Sequence, residues 1–316
     1  MYRIGIDLGG TNIKIGIVNE DNKIVAKTSI PTFAKRPYEQ ILEDMGVAVL
    51  HLLQESNILL EECVSVGVGC PGIVDAKTGI VIYSNNIVWK DVPVVQELKK
   101  YINLPIAISN DANCAALGEV LAGAAKNCQN AVLLTLGTGV GSGIIIDGKI
   151  FEGGHFGGAE FGHTVIISDG EQCTCGRKGC FEAYASAVAL IRDTKRAILD
   201  NSNCLMAGLC QNDLDKVNGQ LAFEAMKQGD EVAKVVVEKY IEYLSIGIAN
   251  LVNIFRPDKV LIGGGVCNQG KILTEAINEY IRKNCFGGTM VFVPKVQVAE
   301  LGNDAGIIGA AGLDIQ

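Results

Sequence analysis

Apolar residues recur with a short period at the start of the chain. Runs at 3–8 (RIGIDL), 13–18 (IKIGIV) and 24–29 are separated by glycine-threonine or polar turns, which predicts an antiparallel meander of three strands. After Pro37 the period lengthens. Ile41, Met45, Val49 and Leu52 then fall on one face, and a helix is expected over 37–56. Strands follow at 64–69, 80–83 and 106–109, with a loop at 84–90, a short helix at 93–101 and another from Asn110 to about residue 121. Later come a helix at 183–199, a polar loop at 200–220 and a long helix at 231–255 halted by Arg256-Pro257. A strand at 259–262 runs into Gly263-Gly264-Gly265, and a helix at 271–284, a strand at 296–301 and a small-residue helix from 304 complete the pattern. Strands alternating with helices after the meander imply an α/β fold whose sheets are largely parallel, with chemistry on the loops at the strand ends.

The sequence also echoes itself. Residues 6–11 (IDLGGT) align with 134–139 (LTLGTG), and in each case a second strand returns after the turn, at 13–18 and at 143–146. Two copies of one β-turn-β unit predict two related lobes, and a cleft between them is the default site.

Composition narrows the class of function. The 316 residues are 48% hydrophobic and 20% charged, with a formal charge of −8, so a globular protein with small-molecule partners is expected and an electrostatic nucleic-acid surface is not. The longest apolar runs fall far short of the roughly 20 residues of a membrane helix. Eleven cysteines in a chain whose first strand begins by residue 3, with no signal peptide ahead of it, predict a reducing, cytoplasmic setting. Cys63, Cys70, Cys114, Cys128, Cys204, Cys210, Cys267 and Cys285 are then reduced thiols.

The other three cysteines lie in GHTVIISDGEQCTCGRKGCFE, residues 162–182, where His163, Cys173, Cys175 and Cys180 form a donor set that suits a closed, structural Zn²⁺ site. Gly176 and Gly179 allow the chain to fold back, and the knuckle would pin Glu160 and Glu182 at its ends. The alternative is three buried thiols. The turns 7–11 and 137–141 offer backbone N–H groups and a hydroxyl without a Cβ in the way, which suits phosphate. Each also fits an ordinary hairpin, and neither is a Walker loop. Asp7 could hold Mg²⁺, and Lys14 either neutralises phosphate or is a solvated strand residue. Asp111 stands where a strand feeds a helix and serves equally as a helix cap or as the base of a phosphoryl transfer. Gly263-Gly264-Gly265 fits bare backbone against adenosine or a plain tight turn. His51 and His155 receive no role.

These residues together resemble the ROK family of sugar kinases and repressors, within the actin-like ATPase superfamily. The resemblance rests on Asp7-Leu8-Gly9-Gly10-Thr11 with Lys14, Asn110-Asp111-Ala112-Asn113, residues 136–141, Glu160-x-Gly162-His163, and the cysteine run ending at Glu182. It implies two ribonuclease-H-like lobes around an interlobe cleft, with a zinc knuckle: 1–117 joined by a C-terminal helix at 303–316, and 118–302 carrying the zinc. It further implies transfer of phosphate from MgATP to the 6-hydroxyl of a hexose, glucose first and N-acetylmannosamine or fructose next. Asp111 is the implied base. Asp7, Gly9, Gly10, Thr11, Asn12, Lys14, Gly137, Thr138, Gly139, Gly264 and Gly265 would lie on the ATP and phosphate side. Gly72, Asn86, Asn110, Asp111, Glu160, His163 and Glu182 would lie on the sugar side. Relatives of this kind form dimers or tetramers. A sugar-responsive repressor would carry a helix-turn-helix ahead of the first strand, and a non-catalytic sugar-binding protein would lack Asp111 or a phosphate turn.

Overall fold

The computed structural model describes residues 1–315. The chain opens with β1 (Tyr2–Leu8), β2 (Asn12–Val18) and β3 (Ile24–Pro31), paired antiparallel in that order. Helix α1 (Tyr38–Glu55) buries Ile41, Met45, Val49 and Leu52, the face expected from their spacing. Each such side chain contributes about 1.5–3 kcal/mol relative to an exposed one. Next come β4 (Cys63–Cys70), β5 (Ile73–Asp75), β6 (Ile80–Ser84), β7 (Trp89–Val92), α2 (Val94–Leu98), β8 (Ile106–Asn110) and α3 (Asp111–Ala122). The first sheet has the order β3-β2-β1-β4-β8, with β4 parallel to both of its neighbours, and β5-β6-β7 form a small antiparallel sheet.

Then follow β9 (Ala131–Leu136), β10 (Val140–Ile146), β11 (Lys149–Ile150), α4 (Glu182–Ala185), α5 (Ala187–Asp200), α6 (Leu205–Leu209) and α7 (Leu221–Lys227). Helix α8 (Glu231–Phe255), β12 (Lys259–Gly263), α9 (Lys271–Asn284), β13 (Lys295–Val298) and α10 (Ala305–Ala311) end the fold. The second sheet runs β11-β10-β9-β12-β13. Its order repeats the first strand for strand: third, second, first, fourth, fifth. The echo between 6–11 and 134–139 is therefore an echo of topology.

Four expectations need local correction. Residues 183–199 are two helices, because Ser186 is extended and its hydroxyl accepts from Ala189 N (3.1 Å), capping α5. The region 200–220 is not all loop, since α6 buries Met206 and Ala207 within it. The loop at 84–90 ends inside β7, where Trp89 and Val92 are buried and Trp89 pairs with Ser84. The last strand stops at Val298. Helix α8 matches its expected bounds for local reasons: Asp230 accepts from Val232 N and Ala233 N at one end, and Arg256 adopts a left-handed conformation before Pro257 at the other.

By contacts the chain divides into two compact units, one made of Met1–Leu133, Gly143–Ala159 and the chain from Ala299 onward, the other of Leu134–Ser142 and Glu160–Val298. In the first, α10 lies on the sheet and against α3. A Cβ on Gly67 would collide with the Ala310 carbonyl, so the close approach of helix to sheet depends on the missing side chain. Glu119 of α3, fully buried, accepts from Ala124 N (2.8 Å), Leu301 N (2.8 Å) and Glu300 N (3.2 Å) and so fixes the segment that leads into α10. No helix among the described residues is long and apolar enough to cross a membrane.

Candidate active site

In the first unit, strand register brings the expected residues to one edge of the sheet. Asp7 is level with Gly69 on β4, and Gly69 with Ser109 on β8, so Asp7 and Ser109 stand two strand spacings apart, roughly 10 Å. Asn110 and Asp111 follow Ser109 directly. The cap of α3 is Asn110: its Oδ1 accepts from Ala112 N (2.9 Å) and Asn113 N (3.2 Å), and its Nδ2 donates to Gly72 O (3.0 Å). Asp111 is thus the first residue inside the helix, with Oδ1 accepting from Ala112 N (2.9 Å).

Lys14 faces Asp7 across the β1–β2 pair and donates to its Oδ2 at 3.1 Å, so it is a partner of that carboxylate rather than a solvated strand residue. Thr11 and Asn12 are exposed at the turn, and Gly9 N is bonded to Asn12 O (3.0 Å). Asn86 comes beside this turn, since a Cβ on Gly10 would stand 3.3 Å from the Asn86 carbonyl. Behind the edge lie Cys70 and Cys114. Burial pushes both thiols far above their ordinary range, and the charges of Asp111 and Asp7 push in the same direction. Such thiols are inert.

The second unit holds the knuckle. The donor atoms of His163, Cys173, Cys175 and Cys180 all lie within 4.8 Å of one another. Cys175 Sγ and Cys180 Sγ are 3.7 Å apart, as are Cys173 Sγ and His163 Nδ1. Tetrahedral zinc with ordinary bond lengths requires S···S of ~3.8 Å and S···N of ~3.6 Å, so the residues fit the ion. The histidine presents Nδ1 to the cluster, which leaves Nε2 for another partner. Ion pairs hold the surrounding loop to α5: Arg196 binds Glu171, and Arg192 lies 3.8 Å from the same carboxylate. Glu171 N donates to Tyr184 Oη (2.6 Å).

Glu160 lies in the turn before the 3₁₀ segment Phe161–His163 and is exposed on one side. The protein packed behind its carboxyl raises its pKa, His163 lowers it and Glu182 raises it. Glu182 reaches the second glycine turn. Its Oε2 accepts from Val140 N (3.0 Å), and its Oε1 accepts from Thr174 Oγ1 (3.0 Å). Within this turn Gly137 N bonds to Gly139 O (3.0 Å), and Thr138 is exposed. Gly264 and Gly265 are exposed after β12, with Gly264 against Leu136 at the end of β9. Thr174 and Ser109 were not expected from the sequence, nor that the Val140 N–H of the expected 137–141 turn is taken by Glu182. Single hydroxyls and backbone groups leave no pattern there.

The chain is similar to known proteins over nearly all of its length. The profile of the ROK family matches residues 3–316. A glucokinase of Streptomyces coelicolor is 36% identical over 314 residues, covering 98% of this chain and 96% of that protein. A xylose repressor of Caldicellulosiruptor bescii is 30% identical over 99% of this chain and 77% of its own length. The solved structure of a ROK family glucokinase from Streptomyces griseus in complex with glucose and AMPPNP is 34% identical, with a TM-score of 0.81 and 99% of both chains covered.

Proposed function

The chain belongs to the ROK family, and from that premise we propose that it is an ATP-dependent sugar kinase acting on the 6-hydroxyl of a hexose, with glucose the first candidate. The observation that carries this reading is the convergence on one sheet edge of Asp7, the 9–11 turn and Asp111, which follows the N-cap Asn110 as the first residue of α3. A carboxylate at a helix N-terminus whose cap is supplied mainly by the preceding residue is suited to accept the proton of an attacking hydroxyl. The glucokinase relatives support the same activity.

In this reading the sugar lies against Gly72, Asn86, Asn110, Glu160, His163 and Glu182, and Asp111 takes the 6-hydroxyl proton as that oxygen attacks the γ-phosphate. Asp7, paired with Lys14, would hold Mg²⁺, which would offset charge on the phosphates. The turns Gly9-Gly10-Thr11-Asn12 and Gly137-Thr138-Gly139 give N–H groups to the phosphates, and Gly264-Gly265 gives bare backbone to the adenosine. Zn²⁺ held by His163, Cys173, Cys175 and Cys180 would keep the thiols ionised and the loop folded, which fixes Glu160 and Glu182 at its ends. Residues 1–117 with 303–316, and residues 118–302, are the two functional lobes of this proposal. It extends to a cytoplasmic enzyme assembled as a homodimer or homotetramer.

The test is initial-rate ADP release with MgATP across glucose, N-acetylmannosamine, mannose, fructose and N-acetylglucosamine. Turnover on glucose above the others is the expected result. Turnover on a different sugar replaces the substrate, and no turnover on any of them by folded, zinc-loaded protein overturns the kinase reading.

A further inference from the structure

The glycine turn at 137–141 already holds an anion. Glu182 Oε2 accepts from Val140 N at 3.0 Å, and the carboxylate lies in the space that a Cβ on Gly139 would fill. Its other oxygen is steadied by Thr174 Oγ1 at 3.0 Å, from inside the cysteine knuckle. Glu182 begins α4 two residues after Cys180, so a folded knuckle fixes its backbone while the long side chain keeps its torsional freedom. A phosphate arriving at this turn would meet a donor already engaged and a negative charge a few ångströms away. Both effects oppose it.

We propose that Glu182 is a gate on the nucleotide site: it competes with the nucleotide's phosphates for the Val140 N–H, and a bound sugar opens the turn by drawing the carboxylate onto its hydroxyls. The inference rests on the kinase reading above and adds to it an order of events. Nucleotide binds weakly to the sugar-free protein, because the turn is closed by the protein's own carboxylate. Sugar and nucleotide each displace Glu182 from the same N–H, so each strengthens the binding of the other, as linkage requires. A further consequence is protection of ATP. With no sugar present, the phosphates are not seated where water could attack them in place of a hydroxyl.

The experiment measures the affinity of zinc-loaded protein for Mg²⁺ and a non-hydrolysable ATP analogue by calorimetry, without sugar and with saturating glucose, N-acetylmannosamine or fructose. In the unaltered protein, sugar is expected to tighten nucleotide binding roughly tenfold. In Glu182→Ala the sugar-free affinity should rise by about the same factor and respond little to sugar, with sugar-free ATP hydrolysis rising in parallel. Thr174→Val removes the hydroxyl that steadies Oε1, leaves the metal ligands in place and should give a smaller rise in the same direction. It decides the matter if Glu182→Ala loses its zinc or fails to fold. Sugar-free affinity unchanged or weakened in both variants overturns the gate and leaves the kinase reading standing. Absence of nucleotide binding in every protein, with or without sugar, overturns both.

Discussion

Asn110 is the N-cap of α3, and Asp111 is the first residue inside the helix. A carboxylate after a strand and before a helix reads as either cap or base; Ala112 N donates to both Asn110 Oδ1 and Asp111 Oδ1, and the added bond from Asn113 N makes the asparagine the N-cap. Asp111→Asn should then leave the helix and sugar binding nearly intact while lowering kcat by ~10²–10⁴-fold, as loss of a general base does. Parallel calorimetry of sugar binding and turnover assays check this, and near-normal kcat in the variant would remove Asp111 from the mechanism. Lys14 shows the same limit of sequence reading. Its pairing with Asp7 follows from their register across β1 and β2, which the meander implied without fixing which residues face each other. The partner shared by Thr174 and Val140 was beyond reach for a plainer reason. Their common partner, Glu182, is 8 and 42 residues away, and a lone hydroxyl or amide gives no pattern to follow.

Among the elements, the segment leading into α10 and the knuckle loop are each tied down by a few polar contacts. Glu119→Ala would leave the amides of Ala124, Glu300 and Leu301 buried or half-buried without this acceptor. At about 1–3 kcal/mol for each lost partner, the expected cost is about 3 kcal/mol or more. Urea denaturation measures it, and a midpoint equal to that of the unaltered protein would show that α10 is held by packing alone. The knuckle loop depends partly on charge. Arg196 holds the Glu171 carboxyl below its ordinary range through a side-chain hydrogen bond, with Arg192 adding to the effect. A group whose pKa is lowered on folding stabilises the fold above its unfolded pKa and loses that contribution as pH falls through the folded one. The stability gap between the protein and Arg196→Ala should therefore be present at neutral pH, small because the pair is partly exposed, and should close as pH falls through the carboxylate range. A gap that stays constant with pH would assign the effect to packing. Strands and long helices were legible because period and caps coincide, as at Asp230 and Arg256 around α8. The break at Ser186 and the strand at Trp89 were missed because one is a single cap and the other is made by pairing with Ser84.

For the molecule as a whole, a zinc ion at the His163, Cys173, Cys175 and Cys180 cluster would supply stability that a core alone does not. The region from His163 to Glu182 contains only short helical turns and two isolated bridges, so four bonds to one ion would do the work of secondary structure there. Removing zinc with a chelator should lower the melting temperature, lower sugar affinity and open residues 160–182 to protease, while far-UV circular dichroism changes little. Cleavage unchanged after chelation, with metal analysis confirming its loss, would show that the loop folds without the ion. The repeated sheet order was visible in outline from the echo between 6–11 and 134–139, since a β-turn-β unit is local and its hydrophobic period survives divergence. By itself the sequence determined the strands and helices with strong periods, the four residues that cluster as candidate metal donors and the positions of the glycine turns, because these depend on neighbours in the chain. Tertiary structure alone decided that Asn110 caps α3, that Lys14 pairs with Asp7, and that Glu182 reaches from the knuckle to the turn at Val140. Those are choices of partner among distant residues, settled when register and packing bring a donor and an acceptor within about 3 Å.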